Sequence, residues 1–463
     1  MGKGPSTNVS PARQVALAVL MEVEGKRAYA TLALNEKLPG LTKKDRALAT
    51  EIVCGTLRNR SLLDWHIRQV ADRPLETMSP PVRNILRLST YQILFLDSIG
   101  DYAIVDEAVR LTKSSSRKAA GFVNGVLRNL LRKLPGFSLP CLADDPVAYV
   151  SIKYSHPAWL VERWIANFGI QHTIAYCQAN NETPPTVIRT NTLKISREEL
   201  FTSLGKAGIN GWFTEYVPES IVVEKTGSPE ALPGYHEGWF FIQDESSMIA
   251  AHCMDPKPTD VVYDLCSAPG GKATHLAQLM GNHGEILAVD IHEHRLKLIE
   301  ENARRLGITN IETVLSPAEK LPEEFFGKAQ RVLVDAPCSG LGVLRRRVDA
   351  RWHKSEADIV DLQQIQRSIL SRAASLVAPG GILVYTTCTL EPEETLDNVA
   401  WFLSSFPDYF PGGTLSSRFS RFAPSRLYRV LSIQREVQRC IAALAPHLDG
   451  TDGFFIAQFE KKQ

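Results

Sequence analysis

Hydrophobic positions repeat with two different periods along the chain, and the change of period divides it. Over residues 1–135 they recur three and four apart: Val15, Val19, Leu20 and Val23 share a face, and Val123, Leu127, Leu130, Leu131 and Leu134 form a continuous stripe. That spacing predicts amphipathic helices and an all-helical segment. Ser10-Pro11 reads as the first helix start, a hydroxyl N-cap followed by proline in the first turn, where its missing N–H costs nothing. Leu134-Pro135-Gly136 and Pro140 punctuate the chain as a linker. From about 141 to 240 the texture is mixed. His156-Pro157-Ala158-Trp159-Leu160 opens a helix whose Trp159, Trp164 and Phe168 read as core, and Thr186–Asn191 reads as a strand. Beyond 241, short apolar runs (Val261–Leu265, Ile286–Asp290, Val332–Asp335, Ile382–Tyr385) alternate with helical patterns. One of these, Leu296, Ile299, Ala303 and Leu306, is closed by Gly307. Such alternation predicts βαβ units and a mostly parallel sheet, with ligands at the carboxyl ends of the strands. The fold class expected is α/β in three domains: all-α over 1–138, small α+β over 139–240, and Rossmann-like over 241–463.

Composition adds a direction. The 463 residues leave room for about three domains of ordinary size. Lys+Arg number 52 against 51 Asp+Glu, a net of +1, yet residues 1–135 hold 21 against 12, a local +9 that leaves −8 for the rest. A basic first third on a neutral chain fits a polyanion-facing module. Lys118, Arg128, Arg132 and Lys133, opposite the last apolar stripe, extend that face. No apolar run approaches the ~18 residues of a membrane helix. The stretch Val15–Met21 lacks a cleavage pattern, so neither membrane span nor signal peptide is expected. Met1–Ser6 matches a bare N-myristoylation pattern, but a lone acyl chain without a second signal anchors weakly. Eight cysteines with no Cys-x-x-Cys pair read as a reducing, cytoplasmic compartment. His292 and His294 have no partner ligands in suitable spacing, so no metal is expected.

The chemistry gathers at strand ends. The first run leads into Cys266-Ser267-Ala268-Pro269-Gly270-Gly271-Lys272, where two glycines allow close approach of a ligand to the backbone. A phosphate loop would need glycine at 266 and Ser or Thr at 273, and the G-x-G-x-x-G fingerprint is absent, so ATP and NAD are disfavoured. The second run ends in Asp290, placed to accept from a ribose diol. A nucleoside without phosphates points to S-adenosylmethionine. Asp335-Ala336-Pro337-Cys338-Ser339-Gly340 and Thr386-Thr387-Cys388-Thr389 then set a cysteine beyond each of two further strands. A thiolate adding at C6 of cytosine makes C5 an enamine-like carbon able to take a methyl group. A carboxyl at N3 stabilises the adduct, and a base must later remove the C5 proton. A thiol titrates near 8.5 unless a positive neighbour lowers it; the cofactor's sulfonium and Lys272 are candidates. These residues leave open which cysteine attacks.

At these motifs the chain resembles the RNA (cytosine-5) methyltransferases, and within them the bacterial small-subunit ribosomal RNA group known as RsmB/Sun/Fmu. The likeness covers nearly the whole length. Residues 1–135 look like the NusB-type helical RNA-binding domain of that group. Gly238–Ser247 looks like the segment opening its catalytic domain, and Cys266–Lys272, Asp290, Asp335–Gly340, Thr387-Cys388 and Asp452-Gly453-Phe454-Phe455 match its successive motifs. The resemblance implies methylation of cytosine C5 in 16S ribosomal RNA, Cys388 as nucleophile, Cys338 in product release, and Asp335 on the base. It implies cofactor contacts from Cys266 to Lys272, Asp290, Asp335 and position 317, where Pro317 stands in place of the group's acid near the adenine. Arg345-Arg346-Arg347-Val348-Asp349 carries valine where proline is usual. Arg345, Arg346, Arg347 and Arg351 are read as RNA phosphate contacts, and the arginines of 412–444 (Arg418, Arg421, Arg426, Arg429, Arg435, Arg439) as a solvated helix and loop. The protein expected is a monomer with ribosomal RNA as partner. Two alternatives remain: an RNA-binding assembly or antitermination-like factor with vestigial cofactor binding, or the same chemistry on transfer RNA.

Overall fold

The computed structural model describes residues 9–224, 227, 229–413, 419–429 and 434–463; the Met1–Ser6 pattern, Arg418 and the Arg435 side chain lie outside the described residues. The chain divides into two compact units. One holds the residues up to Glu182 together with Leu344–Lys354, the other Thr183–Val343 with Ser355–Gln463. Helices 146–179 therefore belong with the first unit and not with the strands that follow them.

The first unit is helical among its described residues, from Pro11–Lys26 through Ala120–Lys133 to Pro146–Lys153, Ala158–Phe168 and Ile170–Ala179. Its core is the set the spacing marked: Val19, Leu20, Val23, Val123, Leu127 and Leu130 are all buried together. Pro11 opens the first helix, but the Ser10 hydroxyl makes no cap; its backbone N–H donates instead to Glu107 Oε2 at 3.0 Å. Trp164 is fully buried and meets Tyr176 edge-on with ring centres 4.7 Å apart.

The segment 344–354 corrects two expectations. Arg351 is fully buried and donates to the carbonyls of Ser155 (3.0 Å) and Asn180 (3.1 Å) and to Asn181 Oδ1 (2.8 Å). A guanidinium removed from water must find acceptors; these are internal, so Arg351 is a structural residue rather than a phosphate contact. Arg345 is likewise buried. Val348, in place of the usual proline, packs into the helical core, and the Trp352 indole N–H donates to the Leu57 carbonyl at 2.8 Å.

The second unit carries two sheets. The smaller is antiparallel, with β1 (Thr186–Thr190), β2 (Gly211–Phe213), β3 (Ser220–Val223) and β4 (Phe240–Ile242) in the order β2-β3-β1-β4. The larger contains β5 (Val261–Leu265), β6 (Glu285–Asp290), β7 (Ile311–Leu315), β8 (Ala329–Asp335), β9 (Val377–Thr387), β10 (Tyr409–Pro411), β11 (Ile441–Leu444) and β12 (Phe454–Lys461). Its order is β10-β12-β9-β8-β5-β6-β7, with β11 also on β12. Strands β5 to β9 pair in parallel and β12 runs against β9. The central strands are buried on both faces, which is why they read as unbroken apolar runs. Since β6 lies on one side of β5 and β8 on the other, the chain reverses direction across the sheet at β5, and that reversal opens a crevice at the carboxyl ends. Among the described residues no helix is long and apolar enough to cross a membrane.

Behind the first crossover helix, Glu219 accepts from the imidazoles of His252 (2.8 Å) and His275, joining Glu245–Met254 and Gly271–Leu279 to the residue before β3. Burial keeps His275 neutral, lowering it to about 3, while its two imidazole partners hold Glu219 below the carboxylate range. The unfolded chain takes up a proton on this histidine below about 6.5 that the native protein refuses until about 3, so stability falls as pH drops through that window. Chemical denaturation at pH 5 and pH 7 should show a smaller acid loss for His275→Gln, which keeps an N–H donor but does not titrate. An unchanged loss would contradict this role.

Candidate active site at the strand carboxyl ends

The loop after β5 is shaped by backbone conformations that the sequence supplies. Cys266 is left-handed (φ 62°), and Gly270 (φ 91°) caps the helix Gly271–Leu279 with Ile299 packed so close that a Cβ would lie 3.1 Å from it. Glycine is the residue that accepts both demands. From β1, the buried Arg189 donates to the Gly271 carbonyl (2.6 Å), to Thr274 Oγ1 (3.0 Å) and to Gln243, fixing the helix start. Beneath the loop, Asp264 is wholly buried, which raises it to about 7, and it accepts from the Ser267 hydroxyl at 2.7 Å.

Asp290 ends β6 facing this loop. Its Oδ2 accepts from the Ala268 N–H (3.3 Å) and its Oδ1 from that of His292 (3.1 Å), with Arg295 3.5 Å away. A carboxylate offers about four lone-pair sites, so capacity remains for a diol. Ser316 hydrogen-bonds the Asp290 carbonyl (3.2 Å), which brings Pro317, at the start of the short turn Ala318–Lys320, to the end of β7 beside it.

The two cysteines converge. In the β8–β9 ladder Asp335 pairs with Thr386, and just beyond this last rung the Cys338 and Cys388 sulfurs lie 3.1 Å apart, both half-buried. Beside them Asp335 accepts from Lys272 Nζ (2.6 Å) on one oxygen and from the Thr386 hydroxyl (2.9 Å) on the other; Lys272 also sits over the Phe454 ring. The hydrogen bond to Cys388 pushes the Cys338 thiol well up, reinforced by burial and by the Glu394 carboxylate.

A set of residues that motif reading missed holds this pair. Glu394, fully buried, accepts from the Ser339 N–H (2.8 Å) and from the Gln366 amide (2.9 Å), while the Ser339 hydroxyl donates to Thr389 (3.0 Å). Gly342 donates its N–H to the Cys388 carbonyl (2.9 Å), and Gly453 donates to the Gly342 carbonyl (2.8 Å). The glycine of the late Asp-Gly-Phe-Phe motif therefore braces the cysteine loop. The signal for Glu394 was present only as an acid a few residues after the second cysteine. Of the sequence-expected residues, the strand-end set comes together here, whereas Arg345, Arg346, Arg347 and Arg351 belong to the first unit, where Arg347 is exposed. Arg421 pairs with Glu215 (2.5 Å) and Arg426 with Asp449 (2.9 Å). A further group, Glu219, His252 and His275, brings three ligand-type atoms within 4.8 Å of one another, but they are hydrogen-bonded among themselves.

Comparison with known proteins agrees with this fold. Residues 251–460 match the family described as 16S rRNA methyltransferase RsmB/F, residues 10–132 the NusB family, and residues 156–229 the RsmF/B-like ferredoxin-like domain. The chain is 37% identical over 455 residues to the probable ribosomal RNA small subunit methyltransferase B of Bacillus subtilis, spanning 97% of this chain and 98% of that one. The crystal structure of PH0851 superposes with a TM-score of 0.79 at 28% identity, covering 98% and 99% of the two chains. NSun6 from Pyrococcus horikoshii, solved with SFG, gives 0.57 at 26% identity over 66% of this chain and 98% of that one.

An alanine at 342 would push its Cβ into the Gly453 carbonyl oxygen and to 2.8 Å from that of Cys388. Gly342→Ala should lower unfolding stability by about 2 kcal/mol, as overpacking against fixed backbone does. Denaturant titration with an unchanged midpoint would show that the two loops are not braced in this way.

Proposed function

This chain belongs to the RsmB/F family of 16S rRNA methyltransferases, and from that premise we propose that it forms 5-methylcytosine in small-subunit ribosomal RNA, with Cys388 as nucleophile. The observation that carries the reading is the 3.1 Å approach of two sulfurs beside a Lys272–Asp335 ion pair. Unreactive C5 needs a nucleophile on C6; the site offers two adjacent sulfurs, one to attack and one to assist release. The choice of Cys388 follows the likeness of the Thr387-Cys388 motif to the family's, and the upward push on the Cys338 thiol is compatible with it.

The Cys388 thiol gives its proton to the Asp335 carboxylate as the sulfur adds to C6; the electron pair moves through C5 and C4 to N3, which takes that proton from Asp335. Lys272 fixes the Asp335 carboxyl for that contact. The Gly270-Gly271 turn and the Asp290 carboxylate would hold S-adenosylmethionine, which would supply the methyl group for C5. Loss of the C5 proton re-forms the C5–C6 double bond and expels the Cys388 sulfur, to which the Cys338 thiol donates a hydrogen bond as it leaves. The target cytosine must be unstacked, at a cost of a few kcal/mol if flipped from a helix. Arg346 and Arg347 are the members of the arginine cluster proposed to meet phosphates, and the enzyme is proposed to act as a cytoplasmic monomer.

Cys388→Ala should abolish transfer of labelled methyl to ribosomal RNA, and Cys338→Ala should accumulate a covalent RNA–protein species. Transfer that survives in Cys388→Ala would remove this residue from the chemistry. Bisulfite sequencing of ribosomal and transfer RNA, with and without the protein, identifies the substrate class.

A further inference from the structure

The first unit contains a cavity of about 140 Å³ whose wall includes Glu24, Arg27, Thr56, Arg60, Trp352 and His353. Its charges do not balance. Glu24 is taken up by Arg83 (2.8 Å) and Arg87 (3.3 Å), and Arg87 is further held by Asp64 (2.6 Å). The Arg27 and Arg60 side chains make no ion pair or hydrogen bond among the described residues; Arg27 is exposed, and the half-buried Arg60 feels the Asp64 and Glu24 carboxylates without touching them. Arg60 lies with its guanidinium 5.0 Å over the Trp352 ring, which leaves its N–H edge without an acceptor. Burial and the neighbouring Arg87 lower it to about 10, and the surrounding cations help depress His353. Thr56 Oγ1 and His353 Nε2 are also buried without hydrogen-bond partners.

The Thr56 hydroxyl and the His353 ring nitrogen are the buried polar atoms left unpartnered here, which is costly, and the half-buried Arg60 guanidinium beside them has the fork geometry that matches phosphate. The volume is enough for a phosphate group with bound water. We infer that this cavity is a phosphate-binding site, with Arg60 and Arg27 as the ligating cations and the Trp352 indole as the platform that orients Arg60. The phosphate is either a backbone phosphodiester of the RNA substrate or a free phosphate ion. The first source rests on the proposed function; the second does not.

The full chain, its Arg60→Gln variant and its Arg27→Ala variant, in which the altered residue is exposed, should be compared in two assays. In the first, binding of a single-stranded oligoribonucleotide is followed against salt. If the site holds an RNA phosphate, each variant should bind about tenfold more weakly, with the slope of log K against log salt reduced by ~0.7. In the second, inorganic phosphate is added at constant ionic strength. If the site holds the free ion, phosphate should raise the melting temperature of the wild type and not that of Arg60→Gln. Either result supports the inference and names the source. Folded variants that match the wild type in both assays overturn it, and Arg27→Ala keeps the test decisive should Arg60→Gln fail to fold. Methyl transfer measured in parallel separates the readings. Loss of the slope difference with methylation intact defeats the cavity alone, and an intact difference without methylation defeats the proposed function alone.

Discussion

The register between β8 and β9 is the constraint on which the candidate site depends. With Asp335 opposite Thr386, the two strands finish level, and the next few residues of each carry a cysteine to one point on the rim. Slipping a parallel pair by one residue would turn every side chain to the other face, separating the sulfurs and moving Asp335 away from Lys272. Val332, Leu333, Val334, Leu383, Val384 and Tyr385 are all inaccessible to solvent, so the register is held by close packing of differently shaped side chains on both faces together with the ladder bonds, not by polar–apolar alternation.

Around this contact the structure spends its buried polar groups on position. Glu394, Gln366, Ser339 and Thr389 tie the two cysteine loops together, and Tyr385 closes the network through Gln366 and the Glu394 carbonyl. Such networks rigidify when fully connected. The same logic operates at the other end of the crevice, where Arg189 reaches from the small sheet to the start of the helix after the glycine turn. The two halves of the crevice thus have separate braces, one for the paired sulfurs and one for the loop proposed to cradle the cofactor.

The strands β5, β6, β8 and β9 were legible because burial on both faces makes each an unbroken apolar run ending in a chemically distinctive residue. Strand β7 was not, since it lies at the sheet edge with its side chains partly exposed and carries Glu312 and Thr313 in its middle. The cysteines, Asp290 and the glycine turn were found by motif, whereas Glu394 and Gly342 were not, because their roles exist only through contacts across long sequence separations. Arg351 shows the opposite error. A run of arginines reads as a polyanion surface, and nothing local reveals that Asn180, Asn181 and Ser155 will supply acceptors in the interior.

The central claim is that the sulfur at 388, and not the one at 338, bonds to the base. RNA carrying 5-fluorocytosine tests it directly, because fluorine at C5 cannot leave as a proton does and the adduct persists. Peptide mapping of the trapped complex by mass spectrometry should find the nucleotide on the peptide containing Cys388. A nucleotide on the Cys338 peptide, or no adduct from an enzyme active on ordinary RNA, would contradict it.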